Sequence, residues 1–183
     1  VVSALEAARI QVDSDKHWDK CLKRLREATD TVYDPPAGLN AQLRDYQVDG
    51  FRWLCRLSHW GIGGILADDM GLGKTVEAIA ILELRDAFPA VVVCPASLKE
   101  NWRREITKWL PHRTVNIVSG KTDIVSCDVN IVNYDILYKF VDAIKHLAIN
   151  GVVLDESHYV KTSSSKRTKA AKEIAALVPK SGS

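Results

Sequence analysis

The sequence lacks several features that would assign it to a special class. It has one methionine, Met70, and four cysteines without a C-x-x-C pair, so neither a disulfide framework nor a zinc site is expected. No apolar stretch reaches the ~18 residues of a membrane span, and no signal peptide is evident. The net charge of +2 restricts any nucleic-acid-binding surface to a local patch. We expect an intracellular protein without a membrane partner, cytoplasmic or nucleoid-bound in a bacterium and nuclear in a eukaryote.

Short apolar strands alternate with amphipathic helices through most of the chain. A cluster of helix-breaking residues at 34–38 separates a predicted N-terminal helical extension, 1–37, from a domain at 38–183. Alternation of this kind is typical of an α/β fold with a parallel sheet and helices on both faces. The pattern predicts strands at 62–67, 91–94, 114–118, 129–134 and 151–156, and helices at 43–60, 74–86, 98–110, 136–148 and 164–178.

Two helix starts carry capping signals. Ser97 and Glu100 have the spacing of a capping box, in which Ser97 accepts from the N3 amide and Glu100 reaches back to the start of the helix. Asp135 is expected to cap the helix at 136–148.

A glycine-rich turn between a predicted strand and a predicted helix is the most informative segment. It reads Asp68-Asp69-Met70-Gly71-Leu72-Gly73-Lys74-Thr75 and departs from the strict G-x-x-x-x-G-K-[ST] pattern at Asp68. Backbone amides at such a turn bind phosphate, Lys74 would lie against the β- and γ-phosphates, and the Thr75 hydroxyl would hold Mg²⁺. The residues predicted to bind nucleotide here are Asp69, Met70, Gly71, Leu72, Gly73, Lys74, Thr75 and Val76.

An acidic pair ends a second predicted strand. Asp155 and Glu156 follow the apolar residues 151–154. One carboxylate can hold Mg²⁺ of a Mg·ATP complex and its neighbour can activate water, so Asp155 and Glu156 join Lys74 as predicted catalytic residues. Ligands of parallel sheets bind at the carboxyl ends of the strands, and this edge is where the acidic pair and the glycine turn could meet.

Four strings in a fixed order resemble the first RecA-like lobe of the Swi/Snf-type ATPases, P-loop NTPases in superfamily two of the helicases. They are Leu43-Arg44-Asp45-Tyr46-Gln47, the glycine turn, Cys94-Pro95-Ala96-Ser97-Leu98 with Asn101-Trp102, and Asp155-Glu156-Ser157-His158. The resemblance covers about residues 38–178. It implies a motor that couples ATP hydrolysis to translocation on, or remodelling of, double-stranded DNA or protein–DNA complexes.

The resemblance also implies roles for individual residues. Gln47 would read the adenine edge, and His158 would couple the nucleotide to later motifs. DNA contacts are implied for Pro95, Ser97, Lys99 and Asn133. Four of these residues also have a plain structural interpretation: Gln47 as a surface helix residue, Ser97 as a helix cap, Lys99 as part of a solvated face, and His158 as a locally bonded histidine.

The implied partners and cofactors are ATP, Mg²⁺, double-stranded DNA and a C-terminal RecA-like lobe of the same chain, in a monomer. Because that second lobe supplies an arginine finger, we expect the 183-residue chain alone to hydrolyse ATP very slowly. Two alternatives remain at this point: a P-loop kinase acting on a small molecule, and a nucleotide-independent binding scaffold.

Overall fold

Four parallel strands form the sheet in the part of the chain that the computed structural model describes: residues 27, 31–60, 63–64, 73–160, 162 and 165–179. The strands are β1 Ala90–Cys94, β2 Val115–Ile117, β3 Val129–Asn133 and β4 Gly151–Leu154, in the order β2-β3-β1-β4. Central strand β1 pairs with both β3 and β4, so that Val92 lies between Ile131 and Val153.

The helices lie close to their predicted positions, with two exceptions given below. They are α1 Asp45–Trp60, α2 Lys74–Leu84, α3 Lys99–Trp109, α4 Tyr134–Leu137, α5 Val141–His146 and α6 Lys166–Ala175, with 3₁₀ turns at Ala96–Leu98 and Ser157–Val160. The extension 1–37 and the strand predicted at 62–67 lie largely outside the described residues. Of that strand only Gly63 and Gly64 are described, and they belong to neither a helix nor a strand.

Strand β1 separates two apolar layers. All five of its residues are buried, as expected for a central parallel strand covered on both faces. Ala90, Val92 and Cys94 face a layer that includes Phe51 of α1, Ile79 of α2 and Ile106 of α3. Val91 and Val93 face the opposite layer, built from α4, α5 and α6. The predicted fold class, a parallel sheet with helices on both faces, is therefore confirmed.

The capping box predicted at Ser97 does not form. Ser97 lies inside the 3₁₀ turn that begins after Pro95, and the residue at the N-cap of α3 is Leu98, without a side-chain capping bond. Glu100 instead accepts from Arg103 Nε at 2.9 Å, one turn along the helix. The prediction was wrong because the turn Pro95–Leu98, closed by a 2.9 Å bond between the Leu98 amide and the Pro95 carbonyl, moves the start of the helix past Ser97.

The helix predicted at 136–148 is in fact two short helices, α4 and α5. Between them the amides of Lys139 and Phe140 bond three residues back, a 3₁₀ pattern that tightens the chain and ends α4. Asp135 lies in the first turn of α4, and the N-cap residue is Asn133, which has extended backbone. The prediction of Asp135 as the cap was therefore wrong by two positions.

One arginine, Arg113, is surrounded by carboxylates at the amino ends of the strands, away from their carboxyl edge. Arg113 donates to Glu83 at 3.0 Å, to Asp86 at 3.1 Å and to Asp128 at 3.3 Å. Its guanidinium also lies 4.0 Å from the centre of the Phe88 ring. Burial alone would raise the pKa of Asp128, but bonds from Thr114 and Arg113 outweigh it and hold that pKa below its ordinary value.

We predict that Arg113→Met lowers the free energy of unfolding by roughly 2 kcal/mol, because the side chain is 20% exposed and its loss removes the cation shared by the mostly buried carboxylates of Glu83 and Asp128. Arg103→Met, which removes an exposed pair with Glu100, should change it by less than about 0.5 kcal/mol. Since the folded-state pKa of Asp128 is depressed, its stabilising share is present above the unfolded value near 4 and is lost as pH falls through the folded value. Chemical denaturation at pH 7 measures the loss of stability in each variant, and the same measurement at pH 3 tests how much of the Asp128 contribution disappears in acid. Equal losses in the two variants at pH 7 would contradict the prediction.

Candidate nucleotide-binding site

The turn that begins α2 requires glycine at position 73. Gly73 has φ +85°, in the left-handed region that L side chains rarely adopt, and its carbonyl accepts the Val76 amide at 3.0 Å. A Cβ at this position would also collide with Nε2 of Gln47. At the start of α2 the backbone therefore carries no side chain at Gly73, and the Gln47 amide group covers it on one side. A glycine backbone at a helix start is typical of a phosphate-binding turn.

Gln47 is brought to this turn by the packing of α1 on α2. It is a buried residue of α1, 9% exposed, and its Oε1 accepts the Arg44 amide at 3.0 Å. That bond fixes the orientation of the amide group and directs Nε2 toward Gly73. A glutamine and a glycine that are distant in sequence are therefore in contact at the N-terminus of α2.

The structure describes some of the residues predicted to bind phosphate and leaves others out. Lys74 and Thr75 occupy the first turn of α2 and are partly exposed, whereas Val76 is buried in the core. The predicted contacts Asp69, Met70, Gly71 and Leu72 lie outside the described residues. Where the structure describes the turn, it has the glycine conformation and the helix start that a triphosphate needs.

The carboxylate of Asp155 is held at the carboxyl end of β4. The Asp155 amide donates to the Val93 carbonyl at 2.8 Å, which extends the ladder between β1 and β4 by one residue. Its Oδ2 accepts the indole N–H of Trp102 at 2.8 Å, and its carbonyl accepts the Tyr134 hydroxyl at 2.7 Å. The side chain of Asp155 is thus held by α3, and its backbone by β1 and α4.

The charge of Asp155 affects its buried neighbours. Burial, together with the nearby Asp155 carboxylate, raises the pKa of the Cys94 thiol to about 12, so Cys94 stays protonated near neutral pH. The same two causes raise the pKa of the Tyr134 hydroxyl above its ordinary value. Tyr134 therefore remains a donor toward the Asp155 carbonyl.

Glu156 turns away from the line of β4. Its φ is +51°, a left-handed conformation that costs roughly 1–2 kcal/mol in a residue other than glycine. Its amide donates to Oδ1 of Asp155 at 2.9 Å, and its Oε2 lies 3.1 Å from Nδ1 of His158. His158 in turn packs on Tyr159, which stacks on Tyr134. The acidic pair and His158 therefore form one connected group.

Two of the four residues predicted to contact DNA are bonded to each other. Lys99 Nζ donates to the Val118 carbonyl at 2.9 Å and to Oδ1 of Asn133 at 3.1 Å, and Asn133 is buried. Pro95 and Ser97 lie on the turn between β1 and α3, where Ser97 is exposed. Arg103, one turn after Lys99, is exposed and pairs with Glu100 at 2.9 Å.

The residues present fit Mg·ATP. The bare turn at Gly73 and the first turn of α2 suit phosphate, and the Thr75 hydroxyl and Asp155 carboxylate are the hard oxygen donors that Mg²⁺ prefers. Among the residues that the structure describes, no three His, Cys, Asp or Glu side chains converge as a metal cage. Mg²⁺ in phosphoryl-transfer sites is usually held by one or two carboxylates, water and the substrate phosphates, which is the arrangement these residues allow.

Trp102 has a part in this site that its place in the Asn101-Trp102 string did not predict. The residue is buried at 2% exposure. The available signal was the residue type, since a buried indole N–H almost always finds an acceptor. Its partner, Asp155, could not be identified from the sequence because the two residues meet only through the packing of α3 on the sheet.

Fold and site together define a nucleotide-binding lobe of the RecA-like class. Residues 46–177 match the family described as the SNF2-related domain. The chain is 34% identical over 165 residues to TATA-binding protein-associated factor MOT1 of Saccharomyces cerevisiae, covering 77% of this chain and 9% of that protein. It is 37% identical over 142 residues to the ISWI chromatin-remodeling complex ATPase ISW2 of the same yeast, covering 69% and 13%.

Solved structures agree with the sequence relatives. The Sulfolobus solfataricus SWI2/SNF2 ATPase core in complex with dsDNA superposes with a TM-score of 0.71 at 31% identity, covering 78% of this chain and 32% of that one. The chain therefore belongs to the SNF2-related domain family, as its motifs indicated. It spans only about a tenth of the length of the curated relatives named above. In the described part, no helix is both long and apolar enough to cross a bilayer.

We predict that Gly73→Ala weakens Mg·ATP binding about tenfold or more and lowers the free energy of unfolding by roughly 1–2 kcal/mol. The reasons are the left-handed backbone and the collision with Gln47. Isothermal titration calorimetry and thermal unfolding measure the two effects. Gly120→Ala is the matched control, since a Cβ there meets nothing within 4 Å. Similar nucleotide affinity in the two variants would contradict the prediction.

Proposed function

We propose that this chain is the nucleotide-binding lobe of a DNA-stimulated ATP hydrolase, a motor that translocates on or remodels double-stranded DNA or protein–DNA complexes. The observation that carries the proposal is the contact of Gln47 with Gly73 in a chain of the SNF2-related domain family. This contact supports the proposal because an amide side chain oriented by Arg44 lies beside the glycine turn that we propose to bind phosphate. Such an amide can pair with the adenine edge, which favours ATP over other phosphate ligands.

The described side chains have distinct tasks in this proposal. Lys74 and the amides at the start of α2 bind the phosphates, and Thr75 and Asp155 hold Mg²⁺, which neutralises phosphate charge when bound. Glu156 orients the attacking water and accepts its proton, and His158, 3.1 Å from Glu156, transmits the state of that carboxylate to the rest of the site. The undescribed Asp69, Met70, Gly71 and Leu72 complete the phosphate turn.

DNA is the proposed macromolecular partner. A related Sulfolobus solfataricus core was solved with double-stranded DNA, and the exposed turn Pro95–Leu98 offers backbone amides and the Ser97 hydroxyl for phosphate contacts. Because Lys99 and Asn133 bond each other, we assign them to supporting this turn rather than to long-range attraction of DNA. The proposal includes a second RecA-like lobe in the same polypeptide, a monomeric protein and an intracellular location. The family match disfavours both a small-molecule kinase and a nucleotide-independent scaffold.

We predict that Lys74→Ala in the full-length protein lowers ATP turnover by about 100-fold or more, because a cation beside the transferred phosphoryl group is lost. Turnover is measured with and without duplex DNA, and DNA should stimulate the unmodified protein. Lys121→Ala, a change at an exposed lysine, should leave turnover intact. The proposed function would be refuted if Lys74→Ala left ATP turnover unaltered, or if the unmodified protein showed no ATP turnover.

We predict that Glu156→Gln retains Mg·ATP binding but loses roughly 10²–10⁴-fold in turnover, because the amide keeps the shape of the side chain and cannot accept a proton. Calorimetry and steady-state turnover separate the two effects. Glu173→Gln is the matched control, since Glu173 is an exposed carboxylate bonded to a basic side chain, Lys145, at 2.7 Å. A parallel loss of binding and turnover in Glu156→Gln would show that Glu156 is needed for the site to form rather than for the reaction.

A further inference from the structure

Helix α3 is bonded to three strand ends through two side chains on one of its faces. Lys99 donates to the Val118 carbonyl beyond β2 and to Asn133 at the end of β3, and Trp102, one turn later, donates to Asp155 after β4. All three bonds lie between 2.8 and 3.1 Å. The helix is therefore held at the carboxyl edge of the sheet by polar bonds in addition to its apolar packing.

The bond from Trp102 comes from a buried ring and reaches a partly exposed carboxylate. Trp102 is 2% exposed, and the polar atom of its ring donates to Oδ2 of Asp155. The other carboxylate oxygen, Oδ1, accepts the Glu156 amide at 2.9 Å. Each oxygen of Asp155 thus has one donor within the protein and keeps lone pairs for a metal or its water. The two donors together determine the plane of the carboxylate.

The N-terminal end of α3 follows directly on an exposed turn. The 3₁₀ turn Ala96–Leu98 precedes Lys99 without a break, and no side chain caps the helix between them. A displacement of this turn would therefore also move Trp102, which lies one helical turn further along α3. The path from the exposed turn to the Asp155 carboxylate contains one rigid element and one hydrogen bond.

We propose that Trp102 is a positioning residue: its indole N–H orients the Asp155 carboxylate for Mg²⁺ and makes that orientation respond to contacts at the Pro95–Leu98 turn. The proposal rests on the proposed function, since it assigns the means by which DNA at the turn affects the metal. The physical basis is general. Donors to a ligating carboxylate fix its geometry, and their removal commonly costs 10–100-fold in metal affinity or activity.

The test compares Trp102→Phe with Trp109→Phe in the full-length protein. Both changes remove an indole donor from α3, but Trp109 donates to Glu105 on its own helix, at 2.6 Å, and is not bonded to the acidic pair. In Trp102→Phe we expect the Mg²⁺ concentration for half-maximal turnover to rise about tenfold, and stimulation by duplex DNA to fall several-fold. Trp109→Phe should keep both values.

A binding measurement without turnover accompanies the kinetics. Titration of Mn²⁺ in the presence of ADP, followed by its paramagnetic signal, should show the same weakening in Trp102→Phe, while ADP binding in EDTA stays unchanged. If Trp102→Phe fails to fold, benzothienylalanine at position 102 keeps the bicyclic shape and replaces the N–H by sulfur. The same outcome is expected from it.

Three results would overturn the inference. Equal Mg²⁺ and Mn²⁺ dependence in the Trp102 and Trp109 variants would show that the bond does not position the metal. An unchanged DNA stimulation in Trp102→Phe would remove the link to the turn. A lowered unfolding temperature with unchanged metal dependence would mean a purely structural role. If the unmodified protein hydrolyses no ATP, the proposed function fails, and the Mn²⁺ titration decides the inference about Trp102 separately.

Discussion

The pairing of β1 with β3 on one side and β4 on the other is the constraint on which the site depends. All five residues of β1 are buried, and their alternation supplies both apolar layers. Parallel pairing forces the strands to end at the same edge of the sheet. The turn after Cys94, the residues after Asn133 and the acidic pair after Leu154 are therefore neighbours, although the sequence separates them widely.

Polar atoms at that edge are satisfied mainly by partners from other elements. Asp155 receives bonds from Trp102 of α3, from Tyr134 of α4 and from its neighbour Glu156. Lys99 is bonded to the ends of β2 and β3. The carboxylate itself has two donors, Trp102 and the Glu156 amide, so it can change its orientation only if α3 or the chain after β4 moves. The arrangement thus favours a site whose chemistry is coupled to the position of α3.

The sequence predicted the elements of the core well and the details of their termini poorly. The positions of α2, β1 and β3 followed from apolar periodicity, which burial on both sides of the sheet reinforces. The Ser97 cap and the Asp135 cap were wrong because both predictions used local signals alone. Near Ser97 the turn that begins at Pro95 delays the helix, and at Asn133 extended backbone at the strand end makes that residue, not Asp135, the N-cap. Local capping preferences are weak compared with such tertiary constraints.

By itself, the sequence determined the class of protein. The SNF2-related domain family was identified by the glycine turn with Lys74 and Thr75, by the acidic pair after an apolar strand, and by their order. Each of these motifs reflects chemistry within a few adjacent residues. Only the tertiary structure decided that Gln47 contacts Gly73 and that Trp102 bonds Asp155. These pairs depend on how α1 and α3 are rotated against α2 and the sheet. That rotation is set by the packing of the whole core and leaves no short-range pattern in the chain.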